Sequence, residues 1–177
     1  SVKEYDIYSI LPDKGNDLVI EVMKWLIKGC RVIAITGEQG SGKSTLLKYL
    51  VNFIDPTYTL RVQELIFELN LRKLYPKRNI LSFRETSTVS GQDVLDIQKK
   101  TDGIVTILGE VATAPVARWL VQLSQVASKF TIFTHHGKTT ESLVTYLRNS
   151  LLQEGGFNNE KIAEEQLVEE IVEQVVE

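Results

Sequence analysis

The residues most able to do chemistry stand together at Gly37-Glu38-Gln39-Gly40-Ser41-Gly42-Lys43-Ser44, which fits the pattern G-x-x-x-x-G-K-[ST]. Glycines let a backbone wrap a phosphate with its N–H groups pointing inward. A helix starting at the loop's end adds partial positive charge. Lys43 brings a full charge to the β- and γ-phosphates, the Ser44 hydroxyl is placed to ligate Mg²⁺, and Thr45 to contact the α-phosphate. Gly37, Gln39, Gly40, Ser41, Gly42, Lys43, Ser44 and Thr45 are therefore the candidate nucleotide-binding residues, with ATP and Mg²⁺ as expected cofactors. Glu38 is out of keeping, because a carboxylate repels phosphate. Its side chain is expected to point to solvent.

Phosphoanhydride hydrolysis also needs a group to order water and a group to hold the metal shell. Two glutamates follow strand-like runs. Glu110 follows GIVTIL and Gly109, and Glu64 ends the run after the phosphate-loop helix. At the carboxyl edge of a parallel sheet, where ligands lie, the pair reads as Mg²⁺ and water apparatus; the alternative is that each caps a loop in solvent. Ser44 and Glu110 are the candidate metal-holding residues. His135 and His136 follow FTIFT and are the only histidines in the chain. Adjacent residues in an extended segment point to opposite sides. A metal site would need further ligands that the sequence does not offer, which leaves a γ-phosphate sensor or a structural loop histidine.

These groups need elements to position them. Apolar residues at Leu18, Ile20, Met23, Leu26 and Ile27 recur with a helical period after Asn16-Asp17. The runs RVIAIT (31–36), 58–62, 79–83, GIVTIL (103–108) and FTIFT (130–134) read as strands. Between them, helical runs are expected from Lys43 to Phe53, from Ser90 to about Lys100, from Thr113-Ala114-Pro115 to about Ala127, and from Thr139-Thr140 to about Gln153. Residues 69–78 read as a basic, irregular connection. Strands alternating with helices predict an α/β fold of the P-loop NTPase class: a RecA-like parallel sheet with helices on both faces. Residues 1–159 form the expected ATPase domain. Residues 160–177, with paired apolar positions about every four residues, are expected to be an acidic amphipathic helix.

Composition bounds the rest. The chain has 177 residues, 43% hydrophobic and 24% charged, which excludes a disordered, collagen-like or disulfide-stapled chain. Its net charge of -3 gives no support to a strongly basic nucleic-acid binder, and no base-specific nucleic-acid contact is expected. The charge is uneven: residues 160–177 carry seven glutamates and one lysine, so the body before them is mildly basic. A single cysteine, Cys30, forms no intrachain disulfide and suits a reducing compartment. No apolar run approaches a membrane span. Without an initiator Met or a signal-peptide pattern, the sequence reads as a piece of a longer chain.

From about Arg31 to Arg148 the chain resembles the traffic ATPases of bacterial type II and type IV secretion and Tad/Flp pilus systems, in particular the pilus-assembly motor CpaF and related conjugation ATPases. ITGEQGSGKSTLL is similar to the family's phosphate loop. VQELIFELNL resembles its acidic box, placing Glu64 on the catalytic glutamate and Glu68 on the second acidic position. SGQDVLDIQKKTDGIVTILGEV resembles the helix and strand leading into its atypical Walker B, which ends G-E without the usual aspartate, with Glu110 on that glutamate. FTHHGKTTESLVTYLR resembles its histidine box, with His136 on the family histidine. Leu65 stands where the acidic box has aspartate, Ala112 where many members have arginine, and the Gly-His pair expected near Ala127-Ser128 is missing.

The resemblance implies catalytic roles for Lys43, Glu64, Glu110 and His136. It also implies a homo-hexameric ring in the full-length protein, cytoplasmic and peripheral to the inner face of the membrane, with secretion or pilus platform proteins as partners. An N-terminal domain would complete the nucleotide site. The basic residues Arg72, Lys73, Lys77, Arg78 and above all Arg84 are candidates to reach a neighbour's γ-phosphate. Two other functions compete with this motor: a nucleotide-binding assembly module without turnover, and a P-loop small-molecule kinase, for which no Arg-rich lid or acceptor pocket is evident.

Overall fold

β-branched, uncharged runs become strands where both faces can be covered, and they do so here. The computed structural model describes residues 16–64, 68–84, 93, 105–117, 120, 130–153 and 175–176. Its strands are β1 (Ile33–Gly37), β2 (Leu60–Glu64), β3 (Ile80–Arg84), β4 (Val105–Leu108), β5 (Phe130–His136) and β6 (Val175–Val176). They form one sheet in the order β3-β2-β4-β5-β1-β6, with every pair parallel. The helices are α1 (Asn16–Lys28), α2 (Lys43–Leu50), the short α3 (Leu71–Leu74) and α4 (Thr140–Gln153); a 3₁₀ turn at Val51–Phe53 extends α2. Residues 114–117 are also helical.

The alternation of side chains along the strands divides the core. Ile33, Ile35, Leu60, Val62, Val105, Ile107 and Ile132 face α1 and α2, meeting Ile20, Met23, Ile27, Leu47 and Leu50. Ala34, Leu108 and Phe133 face the other way, against Val116, Ala117, Leu143, Leu147 and Leu151. Helices therefore cover both faces, as the α/β pattern predicts. Burying a leucine such as Leu47 or Leu147, both fully enclosed, stabilises by about 1.5–3 kcal/mol. The second face also buries Arg61, Gln63, Thr106 and Thr131, a polar patch that the apolar-strand reading did not anticipate.

The chain leaves β1 toward α2 on one face and leaves the neighbouring β5 toward α4 on the other. Two connections diverging from adjacent strand ends open a crevice there, the usual place for a ligand in such sheets.

Three differences from the sequence reading are physical. The basic connection holds the helical turn α3, begun by Asn70 with φ 50° in the left-handed region. Strand β5 runs on through His135 and His136 because β1 supplies partners to that point, Thr36 opposite His135 and Gly37 opposite His136. Val175 and Val176, expected to be helical, instead pair with Ala34 and Ile35 of β1; β-branched residues beside an open strand edge favour extension. The rest of segment 160–177, the expected helix at 90–100 apart from helical Asp93, and most of the continuation toward Ala127 lie outside the described residues. Among the described residues no helix is long and apolar enough to cross a membrane.

Candidate functional site

The loop between β1 and α2 needs backbone shapes that side chains resist. Gly40 (φ 79°) and Gly42 (φ 91°) both sit at positive φ, and Gly42 is the residue from which α2 starts. Leu46 N–H bonds the Gly42 carbonyl at 2.9 Å, so regular helix begins directly at the loop. Lys43 turns back over the loop: its ammonium donates to the carbonyls of Gly37 (2.9 Å) and Glu38 (2.7 Å). The charge is thereby fixed at the loop's mouth.

A cavity of about 970 Å³ opens at this end of the sheet. Gln39, Gly40, Lys43 and Ser44 line one side; Gly109, Glu110 and Ala112 follow β4; Thr134, His135, His136, Gly137 and Lys138 follow β5; Glu68, Ser142 and Tyr146 complete the wall. Of the residues singled out in the sequence, Gln39, Gly40, Lys43, Ser44, Glu110 and His136 are thus brought together. Gly37, Ser41, Gly42 and Thr45 shape the loop without lining the cavity.

Glu64 is the exception. It is buried, and its Oε1 accepts from the N–H groups of Leu69 (2.7 Å) and Glu68 (3.0 Å). It holds those two main-chain N–H groups and does not line the cavity, whereas Glu68 does. Burial pushes the Glu64 carboxyl above its ordinary range, and those two N–H groups oppose the shift. Gly109 lies directly over it: a Cβ there would come within 2.9 Å of Glu64 Cγ. This close approach gives a steric reason for glycine at this strand end.

The two histidines separate as strand alternation requires. His136 is exposed. His135 is buried, its Nδ1 lies 2.9 Å from the Val111 carbonyl, and its ring stacks on Tyr146 with centroids 4.6 Å apart. Burial lowers its pKa, and the Val111 carbonyl resists that shift. Val111 N–H in turn bonds the Thr134 carbonyl at 2.8 Å, and the Thr134 hydroxyl donates to the Gly109 carbonyl. Three hydrogen bonds thus lace the segment carrying Glu110 to the end of β5.

Lys138 and Tyr146 were not chosen from the sequence, and of the histidine pair only His136 was given a catalytic role. The strand phase could have flagged His135; nothing local marks the others. Arg78, a candidate for reaching a neighbour, is engaged at home: its guanidinium donates to the carbonyls of Val51, Ile54 and Asp55. Helix α4 begins with reciprocal Thr139 and Ser142 bonds, Ser142 N–H to Thr139 Oγ1 at 3.2 Å and Thr139 N–H to Ser142 Oγ at 3.3 Å. They fix Ser142 at the cavity wall.

Among the described residues no group of three or more His, Cys, Asp or Glu side chains could hold a metal by itself. Ser44 and Glu110 on one cavity do fit Mg²⁺, which is commonly held by few protein oxygens plus phosphates and water.

No curated protein matches the sequence. Several solved structures share the fold, three of them as follows. The VirB11 ATPase of the Brucella suis type IV secretion system, solved with sulphate, is 22% identical with a TM-score of 0.77, over 93% of this chain and 48% of that one. The ATPase DotB of Legionella pneumophila is 18% identical with a TM-score of 0.63, over 88% and 42%. The pilus retraction motor PilT, solved with ADP, is 18% identical with a TM-score of 0.63, over 91% and 44%. This chain spans about half the length of each or less. The likeness to secretion and pilus ATPases read from the sequence thus recurs in three dimensions, as a shared P-loop ATPase fold. The family model described as ABC transporter matches residues 20–175, and the chain belongs to that family of P-loop domains.

Proposed function

We propose that this chain is the ATP-hydrolysing domain of a motor of the secretion and pilus type. One observation carries the reading: the phosphate loop, with Lys43 and Ser44, and Glu110 after β4 line the same cavity at the carboxyl edge of a parallel sheet. That similar structures were solved with sulphate and with ADP supports anion and nucleotide binding by this fold.

In this reading the loop N–H groups and the start of α2 hold the phosphates, and Lys43 neutralises charge developing on the γ-phosphate. Ser44 and the Glu110 side would hold Mg²⁺, which supplies further charge neutralisation when bound. Glu110 and Glu68 face the space where water would attack. Glu64 acts one step removed, holding the main-chain N–H of Glu68. His136, exposed at the cavity, and His135, laced to Val111, are placed to respond to the γ-phosphate. The full-length protein would work as a homo-hexamer at the cytoplasmic face of a membrane, against secretion or pilus platform proteins.

The test is steady-state phosphate release by the full-length protein with Mg²⁺ and ATP, across protein concentrations. Specific activity is expected to rise steeply with concentration, marking sites completed between subunits. Lys43→Ala should remove turnover by at least about 100-fold; unchanged turnover would reject the site.

One observation favours a second reading, a nucleotide-binding module without turnover: the Glu64 carboxylate is committed to backbone N–H groups. Tight ATP binding with no phosphate release at any concentration would select it.

A further inference from the structure

Glu38 holds two lysines at once. Its carbonyl accepts from Lys43, and its carboxylate Oε1 pairs with Lys138 Nζ at 3.3 Å. Lys138 belongs to the turn between β5 and α4 and lines the cavity. That turn hangs on the phosphate loop by one further bond, Gly137 N–H to the Gly37 carbonyl at 3.4 Å. The Glu38–Lys138 pair therefore bridges the mouth of the site between two loops.

Among the described residues lining the cavity, two are lysines, Lys43 and Lys138, and two are glutamates, Glu68 and Glu110. Lys43 is tied to carbonyls of its own loop. Among the described residues Lys138 is held by one exposed ion pair, its side chain 81% accessible and that of Glu38 63%. Such pairs are weak and exchange readily. A terminal phosphate carries more charge than one carboxylate and would project from the phosphate loop toward this turn.

We propose that Lys138 is a second phosphate-contacting lysine, parked on Glu38 and transferred to the terminal phosphate of a nucleoside triphosphate. Glu38 is then the competitor that keeps Lys138 from a diphosphate, so the pair sets preference for triphosphate over diphosphate. This accounts for a carboxylate inside a phosphate loop. It rests on the nucleotide-binding reading above.

The experiment measures equilibrium binding of fluorescent ATP and ADP analogues, with Mg²⁺, to the full chain. Lys138→Met should weaken ATP binding about tenfold and leave ADP within about threefold, the loss expected for one charge-assisted contact. Lys138→Arg should restore most of the preference. Glu38→Gln should tighten binding of both nucleotides and narrow the gap between them, and Lys138→Met should abolish that gain in the double variant. Equal effects of Lys138→Met on ATP and ADP, or none, with wild-type binding intact, would overturn this inference alone. Absence of wild-type binding, indistinguishable from Lys43→Ala, would overturn it together with the nucleotide-binding reading.

Discussion

The Nδ1 of His135 lies 2.9 Å from the main-chain oxygen of Val111, two strand ends away in sequence but next to it in space. A carbonyl only accepts, so this nitrogen carries the ring proton and Nε2 is left as an acceptor. The bond ties the Glu110 segment to the His135 ring, and the ring's burial makes the stability of the fold depend on its protonation state.

That dependence has a sign. Burial, the largest influence, holds the His135 pKa below 6.5; His136 and Lys43 push the same way, while the Val111 carbonyl and Glu110 oppose. The folded protein thus keeps His135 neutral where the unfolded chain takes up a proton. As pH falls through 6.5 toward the folded value, the unfolded state gains protons first and stability drops; above 6.5 the group contributes no slope. Thermal melting at about pH 7.5 and about pH 5.5 should show a larger loss for the wild type than for His135→Asn, by about 2–4 °C. Equal losses would place the acid sensitivity elsewhere.

The two strand-end glutamates should part company under substitution. Glu64→Gln keeps an oxygen for the N–H groups of Glu68 and Leu69 and removes a charge that burial disfavours. Because its folded pKa is raised, the stability linked to Glu64 is present at low pH and lost as pH rises through that value. At neutral pH Glu64→Gln should therefore match or exceed wild-type stability and retain phosphate release. Glu64→Ala, leaving two donors unmet, should cost about 1–3 kcal/mol in denaturant titration. Glu110→Gln should lower turnover by about 100-fold or more with ATP binding preserved. The reverse pattern, turnover lost in Glu64→Gln and kept in Glu110→Gln, would return the water-ordering role to Glu64.

Arg78 gives a purely structural contrast. Its guanidinium gathers the carbonyls of Val51, Ile54 and Asp55 where the 3₁₀ turn after α2 ends. Arg78→Ala should lower unfolding stability by about 2–3 kcal/mol, and Lys at this position should not recover it, since one ammonium cannot span three acceptors. Phosphate release per folded molecule should be unchanged. A selective loss of concentration-dependent turnover would instead mark Arg78 as reaching a neighbouring subunit.

Much of this protein was legible along the chain. The phosphate loop is local, since Gly40, Gly42, Lys43 and Ser44 act through their own backbone and the helix that follows. The strands β1, β4 and β5 announce themselves as uncharged runs rich in β-branched residues, and Thr139 as the cap of α4. Glu110 follows β4 so closely that the sheet edge alone puts it at the cavity. What the chain left open are questions of phase and partnership. Two adjacent histidines must face opposite ways, but which one is buried and which stays exposed at the cavity depends on the register of β5 against β1 and β4. Glu64 ends a strand as Glu110 nearly does, yet two N–H groups four and five residues on capture its carboxylate beneath Gly109. Lys138 finds Glu38 a hundred residues away because β1 and β5 are neighbours. Val175 and Val176 join β1 at an open edge, against their own helical spacing. Sequence determined the chemistry that acts through nearest neighbours; tertiary structure decided every role that depends on which strand lies beside which, because register and burial are set by contacts that no local pattern encodes.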